Sequence, residues 1–144
     1  TGVRFLSGSA TSLPFDERTF DFVLACDGLY SWELDAADRH KALGEIRRVV
    51  RVGGHSLFTE HTRPEHFDHF IGGIVDGGFR VVSISYLYDR LWYQIESWFG
   101  PIRDLRVTRK LLRNVRVARS LQAIGGVVGR RASRHVCVLA MRSC

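Results

Sequence analysis

The stretch that decides the fold is residues 8–54, which read GSATSLPFDERTFDFVLACDGLYSWELDAADRHKALGEIRRVVRVGG. Its centre, Phe20 to Cys26, is apolar almost without interruption, a pattern typical of a strand covered on both faces in a parallel sheet. The strand is predicted to stop at Asp27-Gly28, and the loop before it contains Leu13-Pro14-Phe15 followed by two acids. A buried strand of this kind indicates an α/β sheet.

A helix is predicted after this strand. Asp35 is a good N-cap residue, and Asp38 in the first turn complements the helix dipole. The apolar residues recur at helical spacing on one face: Leu43, Ile46, Val49 and Val50. Arg51 in the last turn and the pair Gly53-Gly54 predict the end of the helix.

Strands and helices alternate along the rest of the chain. Val3 to Leu6 is predicted to be a short strand ending in a turn at Ser7-Gly8-Ser9. A helix is predicted from Pro64 to about Val75, closed by Gly77-Gly78. Three further strands are predicted at Ser56 to Thr59, Phe79 to Leu87 and His135 to Met141. This alternation favours an α/β sheet with right-handed crossovers.

The composition of the 144 residues is typical of a single globular domain, predicted to extend over residues 1–144. Cys26, Cys137 and Cys144 show no paired spacing, so neither a disulfide framework nor a cysteine-ligated metal is expected. No apolar run is long enough to span a membrane, and no export signal is present, which predicts a cytoplasmic location. The chain opens on Thr1 and its one methionine is Met141. We therefore expect a fragment of a longer protein.

The net charge of +6 is concentrated in one segment. Residues 101–134 contain ten basic residues and one acid, while the remainder is slightly acidic. This segment is predicted to be a basic helical insertion before the last strand. Four arginines recur at spacings of 3, 4 and 3 on one helical face: Arg106, Arg109, Arg113 and Arg116. They indicate a solvated surface or a site for an anionic lipid, a nucleic acid or an anionic substrate.

Five short sequence pieces stand in a fixed order: Gly8-Ser9-Ala10, Leu13-Pro14-Phe15-Asp16, Phe20-Asp21-Phe22-Val23, Glu45-Ile46-Arg47-Arg48-Val49 and Gly53-Gly54. In this order and spacing they resemble the second half of the class I S-adenosylmethionine-dependent methyltransferase core, similar to the methyltransferase type 11 group. The resemblance implies a partial Rossmann-like sheet that is mostly parallel with an antiparallel final strand. It also implies S-adenosyl-L-methionine as the cofactor.

The resemblance is incomplete in two respects. The family's sheet order is 3-2-1-4-5-7-6, and the strands found here would be numbers 3 to 7, without the first two. The glycine-rich loop that brings bare backbone close to the cofactor belongs to the absent part. Ser9 also stands where the family usually has an Asp that binds adenine. We therefore expect the strand at Val3 to Leu6 to be poorly formed or paired differently.

Cofactor residues follow from the resemblance and from the rule that α/β sheets bind ligands at the carboxyl ends of strands. Ser9 and Ala10 are expected to hold adenine, and Cys26 and Asp27 to line the methionine part. Ordinary turns explain Ser9, Ala10 and Asp27 as well. Asp27 and His61 are weak candidates for catalysis, since a general base takes a proton from the acceptor.

The methyl acceptor is expected to be a small molecule or a lipid-like compound. Six aromatic residues lie within 14 positions, from Tyr86 to Phe99, and can line an acceptor pocket or pack the sheet edge. The predicted acceptor residues are Tyr30, Tyr86, Trp92 and Tyr93. His66 and His69 stand three apart on a predicted helix, but no further metal ligands accompany them, so no metal is predicted.

Three functions are compatible with these patterns. The first is methyl transfer by a methyltransferase of which this chain is the C-terminal portion, inactive by itself for lack of the glycine-rich loop. The second is a non-catalytic methyltransferase-like module that binds an anionic partner through the basic helix. A nicotinamide-dependent oxidoreductase shares the sheet type. The motifs at Leu13 to Phe15 and Glu45 to Gly54 argue against the third.

Overall fold

A computed structural model describes residues 2–29, 34–98, 110 and 114–143. The strands are β1 (Phe20–Cys26), β2 (Val50–His61), β3 (Phe79–Leu87) and β4 (His135–Arg142). The helices are α1 (Ala36–Val49), α2 (Phe67–Asp76), α3 (Arg90–Trp98) and α4 (Val115–Val128). Short 3-10 turns at Pro64–His66 and Arg130–Ala132 precede α2 and β4.

The four strands form one sheet in the order β1-β2-β4-β3. β1 and β2 are parallel, with Phe22 opposite His55 and Cys26 opposite Thr59. β4 runs opposite to β2, because the amide of Thr62 at the end of β2 donates to the carbonyl of Arg134 just before β4 begins. This is the order 4-5-7-6 that the resemblance predicts, and the α/β class with an antiparallel final strand is confirmed.

The start of α1 is confirmed. The carboxylate of Asp35 accepts a hydrogen bond of 2.8 Å from the amide of Asp38, as an N-cap residue does. The predicted apolar residues are buried: Leu43, Ile46, Val49 and Val50 are at most 6% exposed.

The end of α1 differs from the prediction. The helix stops at Val49, so Arg51 does not lie in its last turn, and β2 begins at Val50 without an intervening glycine turn. Gly53 and Gly54 lie inside β2, next to a shift in its register with β1. Gly53 has a φ of 76°, which disfavours other residues. The glycine pair therefore makes a bulge in a strand. In a sequence, two adjacent glycines can indicate either a bulge or the end of a helix.

The second predicted helix begins later than its proline. Pro64 opens a 3-10 turn, and α2 itself begins at Phe67. Its end at Gly77-Gly78 is confirmed, since the amide of Gly77 donates to the carbonyl of Gly73 and Gly78 has a φ of 83°. The helix α3 was not predicted from the sequence, because its aromatic residues were interpreted as an aromatic cluster and not as a helix.

The segment at Val3 to Leu6 is not a strand, which corrects that prediction. Val3 and Phe5 are 81% and 93% exposed, and no partner strand is paired with them among the described residues. A backbone strand needs such a partner for its amide and carbonyl groups. The expected coverage of β1 on both faces is also absent, because Phe22 and Leu24 are half exposed.

The chain divides into two compact units. The first comprises Thr1–Glu60, Asp68–Ile84 and Cys137–Cys144, and the second comprises His61–Phe67 and Ser85–Val136. The core of the first unit contains Phe58 and Phe79, whose rings meet edge to face at 5.2 Å. In the second unit, Phe67 stacks on Tyr86 and the serine side chain of Ser133 is fully buried. The single domain over 1–144 and the basic insertion at 101–134 stay predictions.

Candidate functional site

The loop before β1 is fixed to helix α1 by a pair of charged side chains. Glu45 accepts a hydrogen bond of 2.8 Å from the amide of Leu13, and Arg48 lies 2.7 Å from the same carboxylate. Arg48 also donates to the carbonyls of Leu13 and Phe15, at 3.1 and 2.8 Å. We call Glu45, Arg48 and the Leu13 to Phe15 loop the loop clamp. The loop clamp connects the Leu13-Pro14-Phe15 motif to the Glu45 to Val49 motif of the helix.

The loop clamp changes the proton affinities of its two charged groups. The hydrogen bonds from Arg48 lower the pKa of the Glu45 carboxyl, and the amide of Leu13 acts in the same direction. The same pair raises the pKa of Arg48. Each charged group of the clamp therefore favours the charged form of the other.

A cavity of about 260 Å³ opens at the carboxyl end of β1. Its lining is mostly apolar and comes from the loop, the strand and helix α1; it includes Ala10, Leu13, Ala25, Cys26, Leu29 and Ile46. The clamped loop forms one wall, and β1 forms another. A flat heterocyclic ring suits a small apolar cavity at this edge of an α/β sheet.

The structure brings together two of the four predicted cofactor residues. Ala10 and Cys26 both line this cavity, although they are far apart in sequence. Ser9 lies beside it in a turn, where its hydroxyl lies 2.8 Å from that of Thr11 and accepts from the amide of Thr11 at 3.2 Å. Asp27 lies directly after β1. The roles of these residues stay predictions.

Asp27 is held in an unusual backbone conformation. Its φ is 48°, in the left-handed region that few residues other than glycine adopt. Its amide donates to the carbonyl of Thr59, and its carboxylate accepts a hydrogen bond of 3.0 Å from the hydroxyl of Thr59. The side chain is exposed while it makes this contact. Asp27 therefore ties the end of β1 to the end of β2 and presents one carboxylate at the strand edge.

In the second unit, His61 lies against a second histidine that the sequence analysis did not select. The centres of the His61 and His135 rings are 4.5 Å apart, and the ring planes are tilted by 33° to each other. Nδ1 of His135 is 2.6 Å from a carboxylate oxygen of Asp89, whose other oxygen accepts from the amide of Arg134. With Nδ1 donating to Asp89, Nε2 of His135 is the nitrogen that can accept a proton.

Asp89 and His135 carried a signal that the sequence analysis did not use. Asp89 follows the end of predicted strand Phe79 to Leu87, and His135 begins the predicted final strand. Because that strand is antiparallel, its start lies at the same sheet edge as the ends of its neighbours. The predicted topology alone therefore placed Asp89, His135 and His61 at one edge.

The predicted acceptor residues are only partly described. Tyr86 is half-buried and stacks on Phe67 at 5.4 Å, with the guanidinium of Arg130 5.9 Å from its ring. Tyr30 lies outside the described residues, as do the side chains of Trp92 and Tyr93. Tyr86 is packed against an aromatic neighbour, and the role of the aromatic cluster stays a prediction.

Most of the basic stripe also lies outside the described residues. Arg106, Arg109 and Arg113 belong to that part, whereas Arg116 is exposed in the first turn of α4. Asn114 caps this helix by accepting from the amide of Arg116 at 2.9 Å. No helix in the described ranges is long and apolar enough to cross a membrane. Nor does any group of three ligand-type side chains there have the arrangement of a metal site.

The fold is that of a Rossmann-like α/β protein, a class of fold that binds its ligands at the carboxyl ends of parallel strands. The family model described as "Methyltransferase domain" matches residues 1–58. The demethylmenaquinone methyltransferase of Thermus thermophilus is 34% identical over 90 residues, a match covering 54% of this chain and 39% of that protein. The chain thus spans well under half the length of this relative.

Solved structures agree with the sequence comparison. The [4+2]-cyclase SpnF superposes with a TM-score of 0.59 at 18% identity, over 96% of this chain and 55% of that one. Phosphoethanolamine N-methyltransferase 2 of Haemonchus contortus gives 0.57 at 15% identity, over 94% and 36%. At these identities the likeness concerns the fold alone. The chain is similar to methyltransferases in its motifs and its fold, and the resemblance predicted from its sequence is confirmed.

Proposed function

We propose that this chain serves S-adenosylmethionine-dependent methyl transfer and holds the adenine end of the cofactor in the cavity at the end of β1. The observation that carries the proposal is the meeting of Ala10 and Cys26 in one apolar cavity of about 260 Å³. Both residues were expected at the cofactor from the family resemblance. The volume is just below the usual range for whole small-molecule ligands, so it suits a part of the cofactor.

The described residues fit the adenine end of the cofactor better than its other parts. No acidic side chain appears among the described residues that line the cavity, whereas a carboxylate usually binds the ribose hydroxyls in this class of fold. A glycine-rich loop after a strand is likewise absent from the described sheet. We therefore expect weak binding and no methyl transfer by the 144 residues alone.

The acceptor in this proposal is a small molecule that loses a proton when it receives the methyl group. Within the second unit, the Asp89–His135 pair is a separate candidate for proton transfer, in which Asp89 orients the His135 ring through the 2.6 Å contact at Nδ1. A proton NMR spectrum tests the orientation: a low-field Nδ1 proton is expected in the parent chain and is lost in Asp89→Asn. An unchanged spectrum would remove His135 from this role.

The cofactor proposal is tested by calorimetric titration with S-adenosylhomocysteine and with adenosine. Ala10→Trp fills the cavity from an exposed turn and is expected to weaken binding of both ligands at least about tenfold. Ala37→Trp, on an exposed part of α1, is the matched control. If Ala10→Trp binds both ligands as tightly as the parent chain does, the ligands bind elsewhere. If the parent chain binds neither compound, the proposal is contradicted.

The non-catalytic module that binds an anion through Arg106, Arg109, Arg113 and Arg116 stays a prediction, since three of these arginines lie outside the described residues. A small-molecule acceptor and a cytoplasmic location are likewise proposals. Binding of nucleic acid through the same four arginines is also a prediction. A titration with single-stranded RNA that gives no binding at low salt would remove that alternative.

A further inference from the structure

Five arginine side chains surround one short segment of the second unit, Pro64-Glu65. They line two adjoining cavities of about 440 and 220 Å³, which share Pro64, Glu65 and Arg90. We call this group the arginine site, and its arginines are Arg63, Arg90, Arg130, Arg131 and Arg134. None of them belongs to the predicted basic stripe.

The arginine site is assembled from three places in the chain. Arg63 follows β2, Arg90 is the first residue of α3, and Arg130 and Arg131 belong to the 3-10 turn before β4. The amide groups at the start of α3 add partial positive charge on the same side. Because the three segments are far apart in sequence, the clustering is a property of the folded unit.

Main-chain carbonyls contact two of these arginines, and an aromatic ring contacts one of them. Arg130 donates to the carbonyl of Pro64 at 3.1 Å, and its guanidinium lies 5.3 Å from the centre of the Phe67 ring. Arg90 donates to the carbonyl of Arg131 at 3.3 Å. Neutral partners of this kind orient a guanidinium and leave its charge in place.

Among the described residues that line the two cavities, the arginines outnumber the acids by five to one. Glu65 is the one acid among the described lining residues, and its carboxylate lies 4.0 Å from Arg63 with both side chains well exposed. In the described ranges, no carboxylate forms an ion pair with Arg90, Arg131 or Arg134. Like charges that line the same cavity repel one another, and a bound anion reduces that repulsion.

We propose that the arginine site binds the phosphate or diphosphate group of a small phosphorylated ligand. Guanidinium groups form paired hydrogen bonds with phosphate oxygens, which makes arginine well suited to this recognition. The larger cavity lies within the size range of small-molecule sites, and the adjoining one has room for a second anionic group. The inference does not depend on the proposed methyl transfer.

The test is calorimetric titration of the whole chain with inorganic pyrophosphate. Arg131→Gln is the decisive variant, since the Arg131 side chain is exposed and its carbonyl, which Arg90 contacts, is retained. We expect pyrophosphate binding to weaken about tenfold or more, as for loss of a charged hydrogen bond. Arg119→Gln removes the same charge from an exposed position on α4 and should change the affinity much less.

Glu65→Gln adds a readout of the opposite sign. Removing the one described acid from the lining should tighten pyrophosphate binding a few-fold, because the carboxylate repels the ligand. Urea unfolding of each variant checks that the fold persists, and Arg134→Gln replaces Arg131→Gln if that variant unfolds. Equal weakening by Arg131→Gln and Arg119→Gln overturns the proposal, as does a parent chain that does not bind pyrophosphate or phosphatidic acid.

The same phosphate chemistry occurs on a lipid headgroup, and a second arm distinguishes the two sources. Co-sedimentation with phosphatidylcholine vesicles is measured with and without phosphatidic acid. A soluble ligand predicts pyrophosphate binding and little sedimentation. Sedimentation that requires phosphatidic acid and is lost in Arg131→Gln assigns the site to a lipid phosphate and overturns the soluble ligand.

Discussion

Strands β1 and β4 have similar sequences and very different surroundings. β1 reads FDFVLAC and β4 reads HVCVLAMR, and both are rich in apolar residues. Val136, Val138 and Ala140 of β4 are fully buried, whereas Phe22 and Leu24 of β1 are 51% and 56% exposed. β4 lies between two strands and β1 lies at the edge of the described sheet. Position in the sheet therefore decides burial here, and apolar composition does not.

The arginines beside the two strands also differ in their exposure. Arg142 at the end of β4 donates to the carbonyls of Arg47 and Val50, at 2.7 and 2.6 Å, where helix α1 ends and β2 begins. Beside β1, Arg51 pairs with Asp21 at 2.6 Å, but both side chains are more than half exposed. An interior cation with carbonyl partners contributes more to stability than an exposed ion pair.

The largest expected effect comes from a charge placed in each strand. Val138→Asp buries a carboxylate without a partner and should lower the free energy of unfolding by about 4 kcal/mol or more. Leu24→Asp, on the exposed side of β1, should lower it by only about 1 kcal/mol. Equilibrium unfolding in urea measures both. Similar losses for the two variants would show that β1 is covered to the same extent as β4.

A smaller effect is expected from the two arginines. Arg142→Ala removes donors from several carbonyls and should lower the free energy of unfolding by about 2 kcal/mol. Arg51→Ala should lower it by less than about 0.5 kcal/mol, as for an exposed ion pair. Arg142→Lys keeps the charge and one donor, so it should lie between the parent and the alanine variant. A large loss for Arg51→Ala in urea unfolding would contradict this order.

The smallest effect concerns the loop clamp, which fixes the chain just before β1. The pKa of the Glu45 carboxyl is lowered in the folded state. Its contribution is therefore present above the ordinary pKa of glutamate, about 4.3, and is lost as the pH falls through the lower folded value. The contribution is expected to be less than about 1 kcal/mol.

Urea unfolding at neutral and acidic pH measures this contribution. Glu45→Gln should be less stable than the parent at neutral pH, and the difference should shrink in acid, where the parent carboxyl is also neutral. Glu65→Gln, an exposed carboxyl outside the clamp, is the control and should show little change. A difference between Glu45→Gln and the parent that stays constant with pH would contradict the role of the charged pair.

The sequence predicted the elements whose signals are local. The cap at Asp35, the strands at Phe20 to Cys26 and Phe79 to Leu87 and the turn at Gly77-Gly78 all follow from residues close to one another. The strand order followed from the family resemblance. Two predictions made from local residues were wrong: Val3 to Leu6 is not a strand, and Gly53-Gly54 lies inside β2 and does not end helix α1. The expectation from the resemblance that Val3 to Leu6 would be poorly formed agrees with the structure.

The candidate site was predictable to the same extent. Ala10 and Cys26 were placed together by the resemblance, and the structure brings both to one cavity. The contact of Asp89 with His135 joins residues 46 positions apart, and the arginine site joins three segments. The first contact follows from the predicted strand order, which places both residues at one sheet edge. The turns that meet in the arginine site carry no periodic signal in a single sequence.

The central place of β4 has a consequence for synthesis of the chain on the ribosome. β2 and β3 are not neighbours in the sheet, and the strand that joins them comes after all the others in sequence. Until residues 135–142 emerge, β2 and β3 each have one edge without its partner strand β4. Sheets completed by such distant segments form slowly, and until then their unpaired strand edges are prone to aggregation. We expect nascent chains that stop before His135 to depend on chaperones.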